Sequence, residues 1–177
     1  AEACLQRLAG GEATAALAWQ EEGARYDPLC VQSTAARTAE GGWRLQGVTR
    51  FVMGGDRAAF FIVSATVLGE GLALFVVPAQ IPGLKSRTYL THDGRGAADL
   101  KLDEVQLEGE ALLAAAPVAA ELLEKALQLG TLAQCAENVG AMRRALALTV
   151  DYLRTRQQFG KPLAAHQALQ HRMVDHY

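Results

Sequence analysis

Tyr152-Leu153-Arg154-Thr155-Arg156-Gln157-Gln158-Phe159-Gly160-Lys161-Pro162-Leu163-Ala164-Ala165-His166-Gln167 closes one long helical pattern and opens another. Gly160 and Pro162 supply the break, because Gly tolerates left-handed φ and Pro suits a first helical turn. Arg156 and Phe159 stand three apart and share one face if the turn between them is still helical. Two readings stay open. In one, a guanidinium beside an exposed aromatic grips a phosphate with one group and a planar ring with the other. In the other, this is an ordinary helix C-terminus, with cations favoured by the helix dipole and Phe159 tucked into the core.

Upstream, a helical pattern runs from about Ala119 to Gln157. Leu122, Ala126, Leu129, Ala133, Ala136 and Gly140 form one stripe, continued by Met142, Leu146, Thr149 and Leu153. A helix of that span is about 55 Å long and needs bundle partners to be stable. The residues from Leu163 to Tyr177 start one such partner. Before this helix the period changes. Val31–Thr38, Trp43–Met53, Ala58–Leu68, Leu72–Val77 and Ala97–Leu107 read as strands between Gly- and Pro-rich turns. Gly69-Glu70-Gly71 implies an antiparallel hairpin. A phase slip at Asp103-Glu104 implies a bulge. Glu2–Leu8 reads as the last turns of a helix stopped by Gly10-Gly11. Both ends of the chain fall inside helical patterns, so the natural protein is expected to continue in both directions.

The expected fold is α+β: an antiparallel β-barrel or sandwich, then long helices of an up-down bundle. The expected divisions are 1–12, the tail of a helical domain; 13–112, a β-domain; and 113–177, the start of the bundle.

Composition narrows the function. Of 177 residues, 50% are hydrophobic and only 6% aromatic, so Ala, Leu and Val must build most of the core. The formal net charge is -2, with no Lys/Arg block to neutralise a run of phosphates, so nucleic-acid binding is not expected. Cys4, Cys30 and Cys135 read as free thiols in a reducing compartment. The longest apolar run, Ala111–Ala120, contains Pro117 and is too short to span a bilayer. A cytoplasmic protein without a membrane span is expected. Gly94-x-Gly96 lacks a third glycine and a following helix, so it reads as a turn and not a dinucleotide fingerprint. His171 and Asp175 read as an exposed polar face, with no metal site expected. The neighbouring carboxylates Glu21-Glu22 and Asp103-Glu104 are expected on the surface.

Tyr152-x3-Arg156-x2-Phe159-Gly160-Lys161-Pro162-Leu163, followed by His166-Gln167, resembles the R-x-x-F-G…Q segment of acyl-CoA dehydrogenases. In that family this helix–turn–helix holds the FAD of a neighbouring subunit. The resemblance implies FAD contacts from Arg156, Gln158, Phe159 and Gln167. Leu17–Asp27 resembles the family segment A-L-T-E-P-G-A-G-S-D, with Gln20 in place of Thr, Glu22 of Pro, Arg25 of Gly and Tyr26 of Ser. This implies a flavin contact from Gln20 and a substrate contact from the Tyr26 hydroxyl. Gly47-x3-Phe51-Val52-Met53-Gly54-Gly55 resembles the G-x-K-x-W-I-T-N-G strand that packs on the isoalloxazine, with Phe51, Val52 and Met53 at the ring. Met53 replaces a Thr that offers the flavin a hydroxyl. Ala97–Leu107 resembles the R-G-I-V-F-E-D-V-K-V strand that ends the family's β-domain. Thr131 falls where many members carry an Arg near the CoA chain.

The implied function is FAD-dependent α,β-dehydrogenation of an acyl-CoA thioester. The implied partners are an electron-transfer flavoprotein or similar acceptor and further copies in a homodimer or homotetramer. The family's catalytic Glu lies C-terminal to this chain, so no catalytic residue is named. Two alternatives stay open: a non-catalytic subunit of a heteromeric dehydrogenase, and a flavin-dependent monooxygenase of the same fold.

Overall fold

The computed structural model describes residues 2–177. Its packing divides into one unit up to Lys125 and a second from Ala126 to Tyr177. In the first unit, α1 (Glu2–Ala9) ends where the Gly10 and Gly11 amides donate to the Gln6 and Leu8 carbonyls. Seven strands, β1 (Ala15–Ala18), β2 (Thr34–Arg37), β3 (Trp43–Met53), β4 (Phe60–Val67), β5 (Gly71–Pro78), β6 (Leu84–Leu90) and β7 (Gly96–Leu107), follow before the short β8 (Leu112–Ala114). They form one sheet in the order β6-β7-β3-β2-β4-β5-β8, with β1 also paired to β4. The sheet is mostly antiparallel, as its turn-rich sequence leads one to expect. Two pairs are parallel, β1 with β4 and β2 with β4.

Alternation drives the packing. On β3, Trp43, Leu45, Thr49 and Val52 are buried while Arg44, Gln46, Arg50 and Met53 are exposed. The buried set meets Phe61, Val63, Phe75, Val77, Leu100, Leu102 and Val105 in one core. Trp43 and Phe75 meet edge-to-face at 5.1 Å. The few aromatics are thus at the centre, with small Ala residues filling between them.

The β4–β5 hairpin turns at Gly69-Glu70-Gly71, and β7 is bulged at Asp103-Glu104, as expected. Several strands depart from the sequence reading. β2 begins at Thr34 and not at Val31, because Ser33 is held by a side chain instead of a ladder (below). β1, β6 and β8 lie outside the expected strands. β6 is an edge strand whose Lys85, Ser86, Arg87 and Thr88 are all exposed, so it has no hydrophobic alternation.

The helix α2 (Val118–Thr155) is continuous over 38 residues. Ala119 and Leu123 near its start are buried. The expected stripe lies one residue off this face at its start: Leu122, Leu129 and Met142 are exposed. The Thr131 hydroxyl donates back to the Leu127 carbonyl at 2.9 Å. After α2 come β9 (Gln157–Gln158), β10 (Lys161–Pro162), a 3-10 turn (Leu163–Ala165) and α3 (Gln167–Asp175). No helix among the described residues is long and apolar enough to cross a membrane.

Candidate functional site

The outer face of β3 in the first unit is shaped by a bulge. Thr49 pairs with Leu100 and Val52 with Ala98, so β3 spends one more residue than β7 between these pairs. Phe51 takes up the excess with φ of 52°, a left-handed conformation rare for a bulky residue. Arg50 and Phe51 therefore both face outward, and Met53 follows them. Phe51 is 48% exposed and Met53 40%. Val52 turns its side chain into the core. Of the three residues assigned to a flavin ring, only Phe51 and Met53 keep side chains on the surface.

Asp99 on β7 fixes the bulge. Its carboxylate accepts from the Phe51 amide at 3.1 Å, the Tyr89 hydroxyl at 2.9 Å, Arg87 at 2.7 Å and Arg50 at 3.2 Å. Burial alone would raise its pKa. The hydrogen bonds from Arg87, the Phe51 amide, Tyr89 and Arg50 outweigh that and hold it at about 2. Asp99 is thus a permanent anion under an aromatic that its own hydrogen bond keeps in a strained turn.

The loop after β1 lies beside this strand. The Arg50 amide donates to the Gln20 carbonyl at 2.7 Å, which places the Gln20 backbone next to the bulge. Glu21 is not on the surface. It is buried, and its carboxylate accepts from the Gln32 amide at 2.7 Å and the Ser33 amide at 3.0 Å. Adjacent carboxylates point apart here, but one of them points inward, closing the loop from Glu21 to Ser33 like a clasp. Ser33 in turn crosses β3 so closely that a Cβ on Gly47 would overlap its side chain. Within the loop, Arg25 and Tyr26 have φ of 55° and 84°. Tyr26 is 82% exposed, and among the described residues no hydrogen bond draws it onto the Phe51–Met53 surface.

In the second unit the chain does not turn helically after Thr155. Gln157 pairs with Pro162 and Gln158 with Lys161, so Phe159 and Gly160 form a two-residue hairpin turn. Both have positive φ, 55° and 77°, as a type I′ turn requires. Arg156 and Phe159 therefore do not share a helical face. The stalk is closed by the Leu163 amide, which donates to the Arg156 carbonyl at 2.9 Å. Phe159 is 88% exposed at the tip, which excludes its place in the core. Its ring meets the His166 ring edge-on at 6.1 Å, and His166 Nε2 is buried with no hydrogen-bond partner. Arg156, Gln158 and Gln167 are exposed, and Arg156 meets no carboxylate among the described residues.

Among the described residues, five that are not glycine have positive φ: Arg25, Tyr26, Phe51, Glu104 and Phe159. Three of them are the candidate aromatic contacts. Such conformations cost about 1–3 kcal/mol each and collect at functional sites. Sequence reading found the three aromatics but not their conformations, and it missed Asp99 entirely. Asp99 stands where the resembling strand has glycine.

Models of known families match both units. The middle domain of acyl-CoA dehydrogenases matches residues 16–109 and their C-terminal domain residues 120–177. The chain belongs to the acyl-CoA dehydrogenase family. It is 28% identical to the mitochondrial 2-methylacyl-CoA dehydrogenase of Solanum tuberosum over 98% of this chain and 43% of that protein. It is 32% identical to acyl-CoA dehydrogenase FadE12 of Mycobacterium tuberculosis over 94% of this chain and 45% of that protein. Among solved structures, glutaryl-CoA dehydrogenase from Mycobacterium smegmatis in complex with FADH2 superposes with a TM-score of 0.84. It shares 26% identity over 98% of this chain and 45% of its own. The chain thus spans less than half the length of these relatives.

Proposed function

We propose that the intact protein carrying this chain is an FAD-dependent dehydrogenase that forms the α,β-double bond of an acyl-CoA thioester. When bound, the flavin would supply the hydride acceptor. The chain's own residues supply grip and orientation. Phe51 offers an aromatic face on the rigid outer surface of β3. Arg156 offers an uncommitted guanidinium for a pyrophosphate, and Phe159 with His166 Nε2 offers a ring and an unused polar atom for an adenosine half. The observation that carries the reading is the Phe159 hairpin. A large apolar ring held outward in a strained turn, three residues after a guanidinium that meets no carboxylate among the described residues, is costly for an isolated chain and useful to a ligand. The reading includes assembly as a homodimer or homotetramer, electron delivery to an electron-transfer flavoprotein or similar acceptor, and a reducing compartment such as the cytoplasm. That last element suits the three free cysteines.

One observation favours a second reading, the non-catalytic subunit of a heteromeric dehydrogenase. Met53 is exposed at the ring position and has no hydroxyl to give a flavin. The visible spectrum of the purified intact protein, with and without acyl-CoA, separates the two. A flavin band that bleaches anaerobically on adding acyl-CoA supports the dehydrogenase. A colourless protein that copurifies with a flavin-bearing partner supports the second reading and overturns the first.

A further inference from the structure

Beside the aromatic surface, the outer face of β6, β7 and β3 carries a charge pattern that the flavin reading does not use. Lys85 on β6 lies directly opposite Lys101 on β7, and Arg87 lies opposite Asp99 in the next row of that face. Lys101 is flanked on its other side by Val48 of β3, and Arg50 of β3 reaches the same Asp99. These six residues line an open pocket of 210 Å³.

Like charges directly opposite on one sheet face destabilise the pair, because their Cβ atoms are only about 4.5–5.5 Å apart. Neither lysine meets a carboxylate among the described residues. Arg50 and Arg87 share Asp99, and Arg50 also reaches Glu22 on the loop. Four cations thus line the pocket with one carboxylate, and counting Glu22 on the adjoining loop still leaves a surplus of two positive charges. Lysines on an exposed edge protect it from pairing with other chains, which accounts for Lys85 and Arg87 on β6. Edge protection does not account for Lys101, which sits on an interior strand, or for Arg50 on β3.

We propose that this pocket is a binding site for a phosphate group of an organic phosphate ester. Lys85 and Lys101 clamp its oxygens from adjacent strands, and Arg50 and Arg87 are oriented toward it by Asp99. The next row of that face holds Tyr89, Ala97 and Met53, so a ligand that joins a phosphate to an extended organic body has a surface to lie along. The proposal does not depend on flavin binding or dehydrogenation: charge and register alone define the site. The phosphate could be carried by a coenzyme A 3′-phosphate or by a diphosphate bridge, and these are distinguishable.

The test uses the intact protein. Inorganic pyrophosphate is titrated by calorimetry and by thermal shift at fixed ionic strength, for the wild type, Lys101→Gln, Lys85→Gln and Lys101→Arg. Pyrophosphate should raise the wild-type melting temperature. Each Gln variant should bind at least tenfold more weakly while melting no lower than the wild type without ligand, because the lysine repulsion is gone. Lys101→Arg should retain most of the binding. Coenzyme A binding tenfold tighter than 3′-dephospho-coenzyme A, with the difference lost in Lys101→Gln, assigns the 3′-phosphate. Equal binding of the two, again lost in the variant, assigns a diphosphate. Unchanged pyrophosphate affinity in both Gln variants, or the same melting shift from sodium chloride at equal ionic strength, overturns the proposal. If the Gln variants melt lower without ligand, the lysines are structural and the proposal is wrong.

Discussion

Replacing Asp99 with Asn isolates the charge that holds the β3 bulge. The side chain keeps its shape and one acceptor oxygen for the Phe51 amide, but loses the charge shared by Arg50 and Arg87. In the folded protein the Asp99 carboxyl titrates at about 2 against an ordinary 3.8. That depression corresponds to about 2 kcal/mol of stability. Arg87 is 76% exposed, so water screens part of it, and about 1–1.5 kcal/mol is the expected loss at neutral pH. The sign follows from the folded value lying below the unfolded one. Between the two the unfolded chain binds more protons, so the contribution is complete above the unfolded pKa, near 4. It is lost as pH falls through about 2. Urea unfolding of the intact protein and its Asp99→Asn variant, followed by circular dichroism from pH 7 to pH 2, measures this directly. The two midpoints should differ at pH 7 and converge toward pH 2. A difference that persists unchanged at pH 2 would show that Asp99 acts by shape and not by charge. No difference at pH 7 would remove the electrostatic account of the bulge.

Met53→Thr should maintain or raise flavin content and shift the flavin reduction potential, read by spectroelectrochemistry; unchanged content and potential, with Phe51→Ala equally silent, would make this strand plain structure. Arg156→Ala should lower FAD affinity by roughly one to two decades, the effect of losing a charge-assisted contact of about 1.5–3 kcal/mol. Lys at this position should restore only part of it. Equilibrium dialysis with FAD reads both, and normal FAD binding by the Ala variant would return Arg156 to a simple helix-end role. Gly47→Ala should cost about 1–3 kcal/mol, because its Cβ would overlap Ser33 at the crossing of the Glu21 loop over β3. Chemical denaturation measures that loss, and a neutral result would mean the loop yields freely.

The sequence made the frame legible wherever local chemistry decides the structure. Glycines at the β4–β5 turn, the phase slip at Asp103-Glu104 and the long helix all follow from neighbours in the chain. What escaped depends on partners far apart in sequence. Asp99 collects groups from residues 50, 51, 87 and 89, and no spacing rule links them. Glu21 reads as half of a solvated pair until Ser33 is seen to need an acceptor inside the fold. β6 has no apolar period because one edge is open, and the parallel pairs of β4 leave no trace in turn lengths. The opening stretch was half legible. Gly160 announced a left-handed turn, but a hairpin needs positive φ at the residue before it too, and Phe is a poor herald of that.

The bulge at Arg50-Phe51 has a consequence for anyone who edits or grafts this strand. A β-strand has only two faces, so an added residue would shift every side chain beyond it to the other face unless a bulge absorbs the shift. Here the shift brings a cation and an aromatic ring to the same side and then restores Val52 to the interior. Removing either Arg50 or Phe51 would leave a single residue opposite Asp99 and heal the bulge, so Val52 would stay inward and Met53 outward. A variant with one residue fewer would look drastic on paper, yet it would keep the inside and the outside of the strand's last residues toward Gly54 and lose only one of two neighbouring outward side chains.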